Sequence, residues 1–404
     1  MAMTRFVLSL LSLLVLAVSA AQAEPPETPE PELLVWTSYT GPSLEWLETE
    51  LSSFATATGH SFEIRTMTLG ELRQNTVLAE SDTRVADLLV GVPHDEMAEL
   101  VELGLLADVS SYATQDYLSD LPQEAAAAFR HGRELLGLPL TLEGPALVVN
   151  TDLVTRLPTT YEEFLESAGR ANRGLNRGLG LDIGNFYFAW AWLRSSGAML
   201  FATDDSGRLT PALASDEAVA GALALQDLRF GRSLLPEDVS YEAAHELFSE
   251  GRLAYIYNGP WAVARYFEAG VPLTIMPVPP LVPGRPFSGF MSVQGVLVAS
   301  RAADPLASAN AAKWLVRSAA QLRLATGAGR IPASIAAVDE LEADPVLHGY
   351  GIALRHAQAV PTVPLMAAVW QPMGRFLQEL SSGVHTPQQL RSQLEQAGAE
   401  IAAD

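Results

Sequence analysis

The chain contains no cysteine. A disulfide framework, a thiolate metal site, a cysteine nucleophile and a lipid-modified cysteine are therefore all excluded. Cations are scarce: 25 Lys and Arg stand against 47 Asp and Glu, and Lys313 is the sole lysine. A formal charge of −22 argues against nucleic acid and anionic membrane as partners, because both need a basic patch. That lysine lies in Ala312-Lys313-Trp314, so no phosphate-binding loop of the G-x-x-x-x-G-K type exists. A G-x-S-x-G elbow is missing, and His245-Glu246 lacks the second histidine of a zinc-protease helix. Past the N-terminus, no run is long and apolar enough to span a bilayer of about 20 residues.

What is present begins with an address. Arg5 precedes an apolar run from Phe6 to Val18, and Ala21-Gln22-Ala23 follows as a cleavage site, the pattern of a secretory signal peptide over 1–23. Residues 24–31 (EPPETPEP) then read as a flexible leader. Export without cysteine suits a periplasmic protein that is not a lipoprotein. The remaining length exceeds one ordinary domain and predicts two.

Hydrophobic patterning gives the class. Leu33–Tyr39, Phe62–Met67 and Ala86–Val92 read as strands, separated by a helix opened at Gly41-Pro42-Ser43 and a second over Glu71–Glu80. A further helix carries Met97, Leu100 and Val101 and stops at Gly104. This order predicts an open parallel α/β lobe. A second lobe starts with the strand Gly144–Asn150, and Thr160 with Glu163 forms a capping box before its helix. Phe186–Trp192 is too aromatic for an exposed helix. Ala303–Ala320 reads as one helix, and Ala367–Leu380 as another that Pro372 and Gly374 should break or kink.

The segment Tyr255-Ile256-Tyr257-Asn258-Gly259-Pro260-Trp261 is the most informative. Asn258 is a good N-cap residue and Pro260 suits a first helical position, which holds Trp261 beside free backbone N–H groups. A flat ring next to hydrogen-bond donors suits a sugar, although on this segment alone a core tryptophan is the somewhat better reading. His94, Asp95, Glu96 and Glu99 make a polar cluster that reads as an acid-capped helix start sooner than as a metal site. No cofactor is implied.

Several of these residues together resemble a known family. Gly104-Leu105-Leu106-Ala107, Asn150-Thr151-Asp152-Leu153, Tyr187-Phe188, Asn258-Gly259-Pro260-Trp261, Pro361–Met366 and Trp370 occur in the order and spacing of the bacterial extracellular solute-binding proteins that feed ABC sugar importers, and most of all its maltose and maltodextrin binders. The resemblance implies two α/β lobes of the class II periplasmic-binding fold, joined by a hinge crossed three times. It places the N-terminal lobe at 32–140 and 293–337 and the C-terminal lobe at 144–287 and 344–404. The crossings are then 141–143, 288–292 and 338–343. It implies ligand contacts by the acids Asp95 and Glu143, the platforms Tyr187, Trp261 and Trp370, and the cleft positions Asn185 and Met366. The partners implied are a small oligosaccharide and the permease subunits, with a monomeric protein and no catalysis.

Departures weaken the first lobe's share of such a site. Val92 replaces a tryptophan, Glu96 an arginine, and Thr40-Gly41 an acid–lysine pair, while Asn185 stands where the family has a glutamate. One stacking face and two cationic donors are lost. The expected ligand is maltose- or maltodextrin-like, with trehalose, sucrose or another small glycoside also open. Two rivals remain: a secreted glycoside-processing enzyme using Asp95 and Glu143, and a sugar sensor docking on a receptor.

Overall fold

The computed structural model describes residues 33–79, 85–236 and 240–403. The expected signal peptide, the leader and Glu80 lie outside the described residues. Among the described residues two large sheets carry the architecture. The first has the order Ile331–Pro332, Leu138–Glu143, Phe290–Val298, Leu88–Pro93, Leu33–Thr37, Phe62–Thr66, with Gln358–Ala359 added beside Phe290. The second runs Leu273–Met276, Ala146–Asn150, Leu253–Asn258, Arg177–Gly180. The fold is α/β with two lobes.

The parallel expectation holds for only part of the first sheet. Leu33–Thr37 pairs in parallel with both Phe62–Thr66 and Leu88–Pro93. Phe290–Val298 then returns antiparallel between Leu88–Pro93 and Leu138–Glu143. Local pattern reports which segments are strands, whereas the partner of a strand 200 residues away is chosen by packing. Two bulges flank this returning strand, one between Gln294 and Gly295, the other between Gly295 and Val296. At the second, Gly91 is the extra residue opposite, with φ 79°. A Cβ there would stand 2.4 Å from the Tyr39 ring, so only glycine fits.

Local chemistry explains most helix starts. Pro42–Thr58 opens with proline and ends at Gly59, φ 86°. Thr68 and Glu71 form a full capping box ahead of Leu69–Leu78. The box expected at Thr160 is only half made: Thr160 caps Glu163 N–H, but the Glu163 carboxylate takes Thr159 N–H at 2.8 Å. The stretch 303–320 is two helices, Pro305–Leu315 and Ser318–Ala328, rather than one. Met366–Ser382 runs unbroken through Pro372, because the face formed by Val369, Met373, Phe376 and Leu377 is buried and holds the helix together.

The core is not divided lobe by lobe. One face of the second sheet, with Val148, Ile256 and Ile275, packs continuously with the first-lobe interior through Tyr350 and Leu354. Tyr350 also donates its hydroxyl to the Asn258 carbonyl at 3.0 Å. The other face, with Leu147, Tyr255 and Tyr257, packs on Trp190, Trp192 and Phe290.

Candidate functional site

The strand ends bring the polar candidates together. Leu88–Pro93 ends in the short turn His94–Glu96, which carries Asp95. Leu138–Glu143 ends at Glu143, and Ser292 pairs directly opposite it. Ser292 Oγ donates to Asp95 Oδ1 at 2.8 Å, and Gln294 Nε2 donates to Glu143 Oε2 at 3.2 Å. Tyr39 Oη donates to Gln294 Oε1 at 3.3 Å, fixing the amide that holds Glu143. Burial pushes the Tyr39 hydroxyl up to about 12, so it stays a donor at neutral pH. Neighbouring His94 is buried between Val293 N–H, which donates to Nδ1 at 3.1 Å, and the Val360 carbonyl, 2.9 Å from Nε2. Accepting at Nδ1 requires the neutral ring with its proton on Nε2, and burial lowers the pKa in the same direction.

Facing this edge is a row of rings. Tyr187 lies in the first turn of Phe186–Ser196, where Asn185 caps the helix by accepting from Tyr187 N–H at 3.0 Å. Its ring centroid is 6.4 Å from Trp261 and 6.1 Å from Phe290, and Phe290 is 6.1 Å from Trp370. The two tryptophans are thus joined through two rings. Both are open to solvent, Trp261 at 43% and Trp370 at 39% exposure. Burial raises the Tyr187 pKa, with further contributions from the charges of Glu143 and Asp95. Acids and rings therefore share one locality.

Trp261 stands in the turn Pro260–Ala262, with its Nε1–H donating to Tyr241 Oη at 2.9 Å. The cap is Gly259, which corrects the expectation for Asn258. The Asn258 side chain turns inward, with Nδ2 donating to Tyr266 Oη at 3.2 Å and lying 3.1 Å from His245 Nε2. Its buried amide has better partners there than at a helix end. A cavity of about 280 Å³ opens between Trp261 and the first-lobe edge, lined by Glu143, Thr141, Gln294, Ser43 and Arg330. A larger cavity of about 630 Å³ lies among Met276–Pro280, Phe287 and Ile352, with Arg355 and His356 as its few charged or titratable groups. Its proline and aliphatic walls offer a polyhydroxylated ligand few partners, so the smaller cavity is the better candidate.

Residues 51–348 match the family described as bacterial extracellular solute-binding protein. The chain belongs to that family. Among solved members of similar structure is the Thermus thermophilus maltotriose-binding protein bound with maltotriose, 34% identical with a TM-score of 0.69, covering 92% of this chain and 99% of that one. The maltotriose-binding protein of Pyrococcus abyssi is 27% identical over 290 residues, which are 69% of this chain and 62% of that protein. The galactooligosaccharide-binding protein of Bacillus subtilis is 26% identical over 328 residues, 77% of this chain and 76% of its own.

Within this solute-binding protein the expected site residues divide. Asp95 and Glu143 stand at neighbouring strand ends, Tyr187, Trp261 and Trp370 lie along one row of rings, and Glu143 and Trp261 line one cavity. Asn185 is at the same place, but its carbonyl oxygen is engaged in capping. Met366 is 4% exposed and belongs to the same buried cluster as Val369 and Met373, so it offers little open surface. The metal reading of His94, Asp95, Glu96 and Glu99 has another account. Arg73 pairs with Glu96 at 2.6 Å and reaches Glu99, and no cluster of three metal-ligating side chains occurs among the described residues. Sequence reasoning missed Phe290, Ser292, Gln294 and Arg330. No local signal marks them, since they enter the site through pairing with distant strands.

Proposed function

We propose that this solute-binding protein holds a short oligosaccharide, maltose- or maltodextrin-like, in the cleft between its lobes and delivers it unaltered to an ABC permease. The observation that carries the reading is the ring row Trp261–Tyr187–Phe290–Trp370 standing beside Glu143 and Asp95. Sugars present C–H faces to rings and hydroxyls to acids. Each ring contributes about 0.5–1.5 kcal/mol beyond buried area, and each hydrogen bond to a carboxylate about 1.5–3. A few of each reach roughly −8 kcal/mol, the micromolar range. The names of the similar proteins, binders of maltotriose and galactooligosaccharide, support the same class of ligand.

The lobes are 32–140 with 293–337, and 144–287 with 344–404, with crossings at 141–143, 288–292 and 338–343. Carboxyl ends of parallel strands in both sheets lead into the cleft residues, as open α/β sheets generally arrange their ligands. Sugar then favours the closed form in proportion to its extra contacts there. The protein acts as a monomer in the periplasm after removal of residues 1–23, and performs no chemistry. Among the described residues no helix is long and apolar enough to cross a membrane. Titration calorimetry with maltose, maltotriose, trehalose, sucrose and glucose tests the reading, and at least one should bind. Chromatography of the incubated sugar tests the absence of chemistry, since breakdown that Glu143→Gln abolishes would make this an enzyme.

A further inference from the structure

The first-lobe edge carries one polar group that no feature of the sequence marks. Ile331 pairs with Leu142 in an antiparallel ladder, so the next position sets Arg330 opposite Glu143. On the other side of Glu143 stands Ser292, and beyond it Asp95, joined by the Ser292 hydroxyl. Arg330, Glu143, Ser292 and Asp95 thus form a row across four strands, just at or past the end of each ladder. Arg330 is the only cation of that row. Cross-strand opposites of opposite charge ordinarily pair.

Here they do not. Gln294 draws Glu143 to one side. Arg330 is drawn to the other: its Nε donates to Ser43 Oγ at 3.3 Å and its guanidinium lies 5.2 Å from the centre of the Tyr39 ring. Among the described residues Arg330 makes no ion pair, and Glu143 Oε1 has no protein partner. Both line the cavity that Trp261 also lines. A hydroxyl both donates and accepts, so a sugar hydroxyl between the two accepts from the guanidinium and donates to the carboxylate.

We propose that Arg330 is a ligand contact of the first lobe, reading one hydroxyl of the bound sugar jointly with Glu143. The inference rests on the oligosaccharide reading and names the polar partner that reading lacks. Arg330 reaches the cavity from the edge of the first sheet. Its planar fork has N–H groups left over after Ser43 is served.

The test uses the full chain and calorimetry with maltose, maltotriose, trehalose, sucrose and a galactooligosaccharide. Arg330→Ala should weaken the best ligand about ten- to hundredfold, with the melting temperature of the sugar-free protein little changed. Arg330→Lys, which keeps charge but loses the fork, should fall between. Arg330→Ala with Glu143→Gln should lose less than the product of the single losses, because both act on one hydroxyl. If Arg330→Ala unfolds the chain, Arg330→Gln provides the same comparison with the stem retained. Unchanged affinity in a folded Arg330 variant, or fully multiplicative losses, would overturn this proposal alone. A wild-type protein that binds none of the sugars would overturn the oligosaccharide reading, and this one with it.

Discussion

The two walls of the cleft are built by different means. One wall is polar, and its groups come from positions 95, 143, 292 and 330, which only strand register aligns. The second-lobe wall is aromatic, and two of its members are set by short local segments: Asn185 capping the helix of Tyr187, and Gly259-Pro260 turning into Trp261. The contrast teaches that recognition by shape can be encoded locally, while a hydrogen-bonding row is a property of the whole sheet. A one-residue slip of Phe290–Val298 would destroy the row and displace Phe290, while Tyr187 and Trp261 would keep their local settings.

The largest effect should come from the support of the aromatic wall. Trp190 is fully buried, stacks on Phe290 at 5.7 Å and donates its Nε1–H to Gln358 Oε1 at 3.0 Å. Trp190→Ala should cost about 3–5 kcal/mol of stability in urea denaturation. A smaller cost would mean that the ring row does not depend on the core behind it. Next is the support of the polar wall. Gly91→Ala should cost about 1–3 kcal/mol, since the new Cβ strikes Tyr39 at a positive φ and disturbs the ring over which Arg330 lies.

Trp261→Ala sharpens the comparison from the ligand's side. The ring is 43% exposed, so stability should move by only about 0.5 kcal/mol while sugar affinity falls roughly tenfold. A variant that mainly unfolds would return Trp261 to the core. The smallest effect concerns pH. Burial lowers the pKa of both His94 and His245 in the folded chain. As pH falls below about 6.5 the unfolded chain binds protons first, so stability declines with acidification and is regained toward neutral pH. Urea midpoints at pH 7.5 and 5.5 should differ less in His94→Gln than in the parent. Equal differences would show that His94 carries none of the dependence.

Much of this protein was determined by its sequence alone. Apolar runs, caps and breakers marked the strands Leu33–Thr37, Phe62–Thr66 and Leu88–Pro93 and the helix after Gly41, because those signals act within one turn or one strand. The charge and the lack of cysteine limited the chemistry, and short motifs pointed to the family and to Tyr187, Trp261 and Trp370. Tertiary structure decided what local signals cannot carry. It turned Asn258 inward to His245, kept the helix intact through Pro372 and buried Met366. It also returned Phe290–Val298 antiparallel between two strands far off in sequence, and so aligned Ser292 with Glu143 and Asp95. The reason is physical: a cap or a turn is satisfied by its own neighbours, whereas pairing and burial are settled by whichever distant surface completes the hydrogen bonds and excludes water.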